Sequence, residues 1–182
     1  MSIADQLTVA RAASVPIVVA LFAIPFHGHN YWATAIFCAA MSTDWFDGRI
    51  ARRSGRTSSL GSLLDPIADK LLVLATLIVL LGQDVFPAWM VAAIVARELL
   101  VTGLRLAAIE RGVVIAARDL GKLKTWAQAI AAAVGGLAAA GVWSDSIAWW
   151  TLLVALVLTW ISGLDYARSA PSVLRGRAVA SP

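Results

Sequence analysis

Charged residues are scarce in this sequence, and long stretches contain none. Lys, Arg, Asp and Glu make up 14% of the 182 residues, 60% are hydrophobic, and residues 12–43 carry no charged side chain. This composition is far more apolar than that of soluble domains and predicts an integral membrane protein. Because Cys38 is the single cysteine, an internal disulfide is excluded. The N-terminus has no convincing signal-peptide cleavage region, so we expect it to be retained.

The charge-free runs predict an all-α integral membrane protein with six transmembrane helices. Residues 125–144 and 146–164 are also free of charge, and each approaches the roughly 20 residues that a helix needs to cross the hydrocarbon core. The runs 71–83 and 85–96 are shorter, so their helices must extend into charged sequence. We predict helices near residues 7–25, 31–53, 65–82, 87–110, 122–142 and 146–168.

The basic residues predict the orientation of these helices. None of the 15 Lys and Arg residues lies in the segments 26–31, 82–87 or 142–147. Since the cytoplasmic flanks of membrane helices carry the excess of Lys and Arg, both termini should lie in the cytoplasm. The protein itself should reside in the cytoplasmic (inner) membrane. We expect residues 1–168 to form one catalytic membrane domain and residues 169–182 a mobile cytoplasmic tail. An outer aromatic belt should comprise Trp32, Trp89, Trp143, Trp149 and Trp150.

Four aspartates occur at the cytoplasmic ends of the second and third predicted helices. Asp44 and Asp47 are three residues apart, and Asp65 and Asp69 are four apart, so each pair shares one helix face. The short loop 54–64 would make these helices antiparallel neighbours. The sequence therefore predicts four carboxylates that converge just inside the cytoplasmic face of the membrane.

Carboxylates at this depth must be compensated, because an isolated one costs roughly 2.5–3.5 kcal/mol at mid-membrane. They could pair with Arg49, Arg52, Arg53 and Lys70. They could instead form a proton or cation pathway, or hold two divalent cations whose charges offset their own. Composition alone leaves these three interpretations open.

The pattern of residues 44–69 resembles a known family signature, D-x2-D-G-x2-A-R-x8-G-x3-D-x3-D, at every defined position. The signature belongs to the CDP-alcohol phosphotransferase family, whose members are six-span membrane enzymes. Eight defined positions at fixed gaps make a chance match very rare, and structural ion pairing would not require glycines at fixed places. The matching residues are Asp44, Asp47, Gly48, Ala51, Arg52, Gly61, Asp65 and Asp69.

The resemblance implies a two-metal site. Asp44, Asp47 and Asp65 would hold two divalent cations, Mg²⁺ or Mn²⁺, and Asp69 would be both a metal ligand and the catalytic general base. Two cations of this kind can neutralise the charge of a diphosphate and of the departing phosphate. A carboxylate at Asp69 can take the proton of an acceptor hydroxyl within hydrogen-bond reach.

The resemblance also implies contacts with CDP-diacylglycerol. Gly48 and Gly61 would let the nucleotide approach the backbone, and Arg52 would contact the diphosphate. Ser58 is a further candidate among the loop hydroxyls. Thr8 belongs to an opening segment that resembles the family's Pro-Asn-x-Leu-Thr only in part.

Basic residues beyond the signature indicate the acceptor. Arg97, Arg105, Arg118, Lys122 and Lys124 would suit an acceptor that is itself a phosphate ester. Two alternatives stay open: Lys122 and Lys124 as snorkelling rim residues, and Arg97 paired with its neighbour Glu98 within the membrane.

The two segments that carry these cations resemble the branch of the family that makes phosphatidylglycerophosphate from CDP-diacylglycerol and sn-glycerol 3-phosphate, with release of CMP. We expect these substrates, the lipid bilayer and a second copy of the chain as partners, and no nucleic acid. Rival acceptors are inositol 1-phosphate and phosphatidylglycerol; a non-catalytic cation or proton transporter is the rival from another class. The resembling residues are Arg97, Glu98, Leu104, Arg105, Gly121, Lys122, Lys124, Thr125 and Gln128.

Overall fold

Six α-helices make up nearly all of the chain that the structure, a computed structural model, describes. It describes the backbone of residues 3–54, 59–110 and 119–174, and the side chains of residues 10–42, 70–108 and 121–168. Within those ranges there is no β-strand, which confirms the predicted all-α class. The helices are α1 (Ile3–Ala23), α2 (His29–Ser54), α3 (Ser59–Gly82), α4 (Ala88–Glu110), α5 (Asp119–Ala139) and α6 (Asp145–Leu174).

The helix boundaries differ most from the predicted ones at the start of α3 and at the end of α6. Helix α3 begins at Ser59 rather than near residue 65, so Pro66 lies within the helix and not in its first turn. Proline removes one backbone hydrogen bond, which a long packed helix can tolerate, and α1 likewise continues through Pro16. Helix α6 runs to Leu174, beyond the predicted end at residue 168. The division into a domain and a mobile tail stays a prediction.

Short turns join the helices at one end of the bundle, which we call the turn end. They follow α1, α3 and α5, and each contains one residue with a left-handed backbone: Gly28 (φ 75°), Asp84 (φ 61°) and Gly141 (φ 72°). Glycine adopts this conformation without a steric penalty, and aspartate is among the few other residues that tolerate it. The turn end contains none of the chain's Lys or Arg residues.

Polar side chains connect four helices at the turn end. Gln83 Nε2 donates hydrogen bonds to the carbonyl oxygen of Phe22 at 2.8 Å and to Asn30 Oδ1 at 3.1 Å. Asn30 Nδ2 in turn donates to the carbonyl oxygen of Ala139 at 2.8 Å. These bonds satisfy carbonyl groups at the ends of α1 and α5, which have no partner within their own helices.

The apolar core is centred on α5, which packs against α2, α3 and α6. Two adjacent glycines permit the close approach: the ring of Phe86 lies where a side chain at Gly135 would begin, and Thr34 lies there at Gly136. Small residues on one helix face can promote close packing either within one chain or between two chains. Gly136 packs within the chain.

The other helices complete the bundle around this core. Helix α1 packs against α2 and α3, and α4 packs against α6 and α3. Helices α2 and α3, which carry the signature aspartates, are therefore bridged by α1 and α5, each of which contacts both.

The outer surface of the bundle is strongly apolar. Leu99, Leu100 and Trp150 are each about 60% exposed, at 66%, 62% and 59%. Exposed apolar surface of this kind marks an interaction with a membrane or another protein. In the described part of the chain, one helical segment, Asp145–Arg168, is long and apolar enough by itself to cross a membrane.

Candidate functional site

Charged and polar side chains gather in the interior of the bundle, on α3, α4, α5 and α6. We call them the Glu98 cluster; it comprises Lys70, Arg97, Glu98, Lys124, Gln128 and Thr159. Its members other than Lys70 are buried. Burying charge is costly unless each group has partners, so such a cluster needs a compensating arrangement.

Glu98 is the centre of this cluster. Its Oε1 accepts hydrogen bonds from Arg97 Nη1 at 2.6 Å, from Lys124 Nζ, and from Gln128 Nε2 at 3.4 Å. Its Oε2 lies 3.6 Å from Lys70 Nζ. One carboxylate of α4 thus holds side chains from its own helix, α3 and α5.

Lys70 connects the cluster to the signature aspartates along the chain. It directly follows Asp69 on α3, and its Nζ donates a hydrogen bond to Thr102 Oγ1 of α4 at 2.9 Å. Its side chain is 34% exposed, in contrast to 3% for those of Arg97 and Glu98. The cluster is therefore open on the side of Lys70.

Helix α6 fixes the far side of the cluster. Gln128 Nε2 donates a hydrogen bond of 2.7 Å to Thr159 Oγ1, which is fully buried. Gly163, one turn further along α6, makes room for Arg97: a β-carbon at this glycine would lie 2.8 Å from Arg97 Nε. The absence of a side chain at residue 163 thus permits the position of the guanidinium group.

The cluster carries more positive than negative charge. Among the described side chains, three cations, Lys70, Arg97 and Lys124, contact the single carboxylate of Glu98, an excess of two positive charges. In addition, Arg97 Nε and Glu98 Oε2 are buried without a hydrogen-bond partner. Buried groups that lack a partner are rare in native proteins and point to a missing ligand or water.

The structure brings two of the five predicted acceptor-binding residues together. Arg97 and Lys124 meet at Glu98, as described above, and the pairing of Arg97 with Glu98 that the sequence left open is present. Arg105 is half-buried on α4, and Lys122 is exposed on α5. Arg118 lies outside the described residues.

The signature residues lie on helical backbone, but their side chains are outside those described. Asp44, Asp47, Gly48 and Arg52 belong to the last part of α2, and Gly61, Asp65 and Asp69 to the first part of α3. The helical spacing used in the sequence analysis therefore applies to both aspartate pairs. Four carboxylates are a donor set that suits Mg²⁺ or Mn²⁺.

The two remaining predicted residues, Thr8 and Ser58, lie outside the described side chains. Thr8 lies on α1, with its side chain outside those described, and Ser58 lies outside the described residues altogether. Among the described side chains there is no group of three or more His, Cys, Asp or Glu that could hold a metal ion.

Sequence reasoning missed several members of the cluster. Lys70 was considered only as a possible ion-pair partner of the aspartates, and Thr159 and Gly163 lie in an apolar run that gave no polar signal. The spacing of Lys124 and Gln128, four residues apart on one helix face, was the available signal for a shared site. The position of Gly163 against Arg97 depends on how α4 and α6 pack.

Comparison with known proteins identifies the class of protein. Residues 1–161 match the CDP-alcohol phosphatidyltransferase family. Since the match covers most of the chain, the protein belongs to this family of membrane enzymes, which generally depend on divalent cations.

Three bacterial relatives share 36–45% sequence identity with the chain. The chain is 45% identical over 139 residues, 70% of its length and 72% of the relative's, to a CDP-diacylglycerol–glycerol-3-phosphate 3-phosphatidyltransferase of Bacillus subtilis (strain 168). It is 40% identical over 174 residues, 93% of its length and 81% of the relative's, to a probable phosphatidylglycerophosphate synthase of Mycobacterium tuberculosis (strain CDC 1551 / Oshkosh). A relative of Shigella flexneri serotype 5b (strain 8401), with the same name as the Bacillus protein, is 36% identical over 174 residues, 93% of the chain and 94% of the relative.

Proposed function

We propose that the protein transfers the phosphatidyl group of CDP-diacylglycerol to sn-glycerol 3-phosphate, giving phosphatidylglycerophosphate and CMP. The observation that carries this proposal is the sequence identity to relatives named for this reaction over 70–93% of the chain. The Glu98 cluster supports it independently, because an excess of buried positive charge suits an anionic acceptor.

The signature residues would bind the donor, CDP-diacylglycerol, and the divalent cations. Asp44, Asp47, Asp65 and Asp69 would hold two divalent cations, Mg²⁺ or Mn²⁺. When bound, such cations neutralise the diphosphate of the donor and the charge that develops on departing CMP. The backbone at Gly48 and Gly61 would admit the nucleotide; Arg52, with Ser58 and Thr8, would contact it.

Asp69 would act as the general base. The acceptor hydroxyl attacks the β-phosphorus of CDP-diacylglycerol, and Asp69 takes its proton as the new P–O bond forms. The bond between the β-phosphorus and the oxygen of CMP breaks, and CMP leaves with the electron pair. Reaction of the bound acceptor thus requires its hydroxyl at Asp69 and its phosphate at a nearby group of cations.

The acceptor phosphate would be bound by cations of α4 and α5. Arg97 and Lys124 are the strongest candidates, because both are buried and held by Glu98. Arg105, Arg118 and Lys122 would contribute to the positive potential along the path of the acceptor. Arginine and lysine both bind phosphate through charge-assisted hydrogen bonds, which are stronger than neutral ones.

The membrane arrangement completes the proposal. The six helices would span the cytoplasmic membrane with both termini in the cytoplasm and the active site in the inner leaflet. Apolar side chains on the outer surface and exposed Trp32, Trp89 and Trp143 near the turn end support this arrangement. The lipid donor could then react with its acyl chains still in the bilayer. We further propose a homodimer.

Transfer assays with purified protein test this function. CDP-diacylglycerol and Mg²⁺ are incubated with radiolabelled sn-glycerol 3-phosphate, inositol 1-phosphate or phosphatidylglycerol in parallel, and lipid product and CMP are quantified. We expect lipid product from sn-glycerol 3-phosphate. Product from inositol phosphate or phosphatidylglycerol alone would assign a different acceptor, and no CMP release with any acceptor would favour the transporter.

A further inference from the structure

We infer that Glu98 is a positioning residue that assembles the acceptor-phosphate site from three helices. The inference rests on the proposed function and concerns how this site acquires its geometry and charge. Its basis is the convergence of Lys70, Arg97 and Lys124 on the carboxylate of one residue.

A simple structural ion pair does not account for this arrangement. One carboxylate neutralises one cation, but Glu98 contacts three, and Arg97 and Lys124 are buried with it. Uncompensated buried charge is strongly unfavourable. Arg97 and Lys124 are buried, and Lys70 is 34% exposed. Among the described side chains, their excess of two positive charges over Glu98 matches the charge of a phosphate monoester dianion, which would balance the cluster when it binds.

The carboxylate of Glu98 holds three positively charged side chains next to one another. The three cations come from α3, α4 and α5, and they would repel one another at the distances that Glu98 imposes. Glu98 keeps them close while neutralising only part of their charge. The buried Arg97 Nε has no hydrogen-bond partner and lies against Gly163 of α6.

The open side of the cluster is at Lys70, next in the chain to the signature aspartates. Lys70 is its most exposed member and directly follows Asp69, the proposed general base. A phosphate that enters beside Lys70 would therefore be bound near the residue that takes the proton of the acceptor hydroxyl. Glu98 acts through the cations and does not need to touch the substrate.

Helix α6 contributes to the positions of Glu98 and Arg97. Gln128 connects Glu98 to Thr159, and Gly163 leaves the space that Arg97 occupies. The site therefore depends on four helices, and a change in α6 that leaves every charge intact should still disturb it.

The first test is Glu98→Gln, which preserves shape and removes the charge. We expect the KM for sn-glycerol 3-phosphate to rise by about tenfold or more, since charged hydrogen bonds in the cluster are lost or misdirected. The KM for CDP-diacylglycerol should change by less than about twofold. Equal changes in both KM values, or no change in either, would overturn the inference.

A double-mutant cycle separates positioning from a general loss of charge. If Glu98 acts through Lys124, Glu98→Gln combined with Lys124→Met should raise the acceptor KM by no more than the larger single effect. Independent roles would make the two effects multiply, and multiplication would contradict the inference.

Gly163→Ala provides a second variant that leaves every charge in place. Its added methyl group would displace Arg97, so the acceptor KM should rise while the donor KM is retained. If Glu98→Gln does not accumulate in the membrane, Gly163→Ala tests the inference in its place. An acceptor KM equal to that of the unmodified protein would then count against the inference.

The matched control is Gln83→Leu at the turn end, which also removes hydrogen bonds between helices. It should lower stability and leave both KM values unchanged. The unmodified protein is assayed first: no product from sn-glycerol 3-phosphate would refute the proposed function, whereas normal product with an unaltered acceptor KM in Glu98→Gln would refute this inference alone.

Discussion

Lys124 of α5 and Glu98 of α4 form a buried ion pair in which the lysine Nζ donates to Oε1 of the carboxylate. The two residues are 26 positions apart in the chain. This contact joins the two segments that the sequence singled out for binding the acceptor. Of the described cations in these segments, Arg97 and Lys124 are buried, Arg105 is half-buried and Lys122 is exposed.

Lys124 should therefore matter more than Lys122, its exposed neighbour on the same helix. We expect Lys124→Gln to lower kcat/KM for sn-glycerol 3-phosphate by about 100-fold, because a hydrogen bond between a charged group and phosphate contributes up to ~3 kcal/mol. Lys122→Gln should cause a smaller loss. Steady-state kinetics with each substrate varied in turn checks this, and a larger loss in Lys122→Gln would contradict the assignment.

Removal of divalent cations should abolish transfer if the signature aspartates hold them. We expect EDTA to stop CMP release and added Mg²⁺ or Mn²⁺ to restore it. Asp69→Asn should lower kcat by about 100-fold or more through loss of the general base. Asp84→Asn, at the turn end, is the matched control, since asparagine also tolerates the left-handed backbone there. Full activity in Asp69→Asn would remove Asp69 from the mechanism.

Substitutions at two glycines should change stability in opposite directions. Gly136→Ala places a methyl group against Thr34 and should lower the free energy of unfolding by about 1–3 kcal/mol, because overpacking forces neighbours to shift. Gly103→Ala on α4 meets no atom within 4 Å and should be neutral or stabilising by up to ~1 kcal/mol. Thermal unfolding in detergent checks both variants; equal Tm values would show that the contact between α2 and α5 is unimportant.

The proposed orientation can be tested by labelling single cysteines. In a Cys38→Ser background, Ser144→Cys at the turn end should react with a membrane-impermeant maleimide on intact cells. Ser181→Cys, near the C-terminus, should react only after the cells are permeabilised. The reverse pattern would invert the topology, and labelling of both from outside would place an even number of spans between them, which would contradict a membrane-spanning α6.

Most of the helical architecture could be predicted because charge-free runs and turn residues are local signals. Gly28, Asp84 and Gly141 lie at the turns that separate apolar segments. The predicted start of α3 near residue 65 was wrong, because the packed helix begins at Ser59 and continues through Pro66.

The candidate site was predictable in part. Arg97 and Lys124 could be selected because charged side chains within membrane helices are costly and are therefore usually functional. Thr159 and Gly163 could not, since a threonine and a glycine within an apolar run resemble ordinary packing residues. Their roles follow from contacts with Gln128 and Arg97 on other helices.

The sequence by itself determined that this is an apolar helical chain with four aspartates at fixed helical spacings and a matching family signature. Helical periodicity is a property of the local chain, so spacing alone specifies which residues share a face. Only the tertiary structure decided that Lys70, Arg97 and Lys124 meet at Glu98. Which faces meet depends on how whole helices pack, and here Gly135, Gly136 and Gly163 allow side chains of other helices and turns to approach the backbones of α5 and α6.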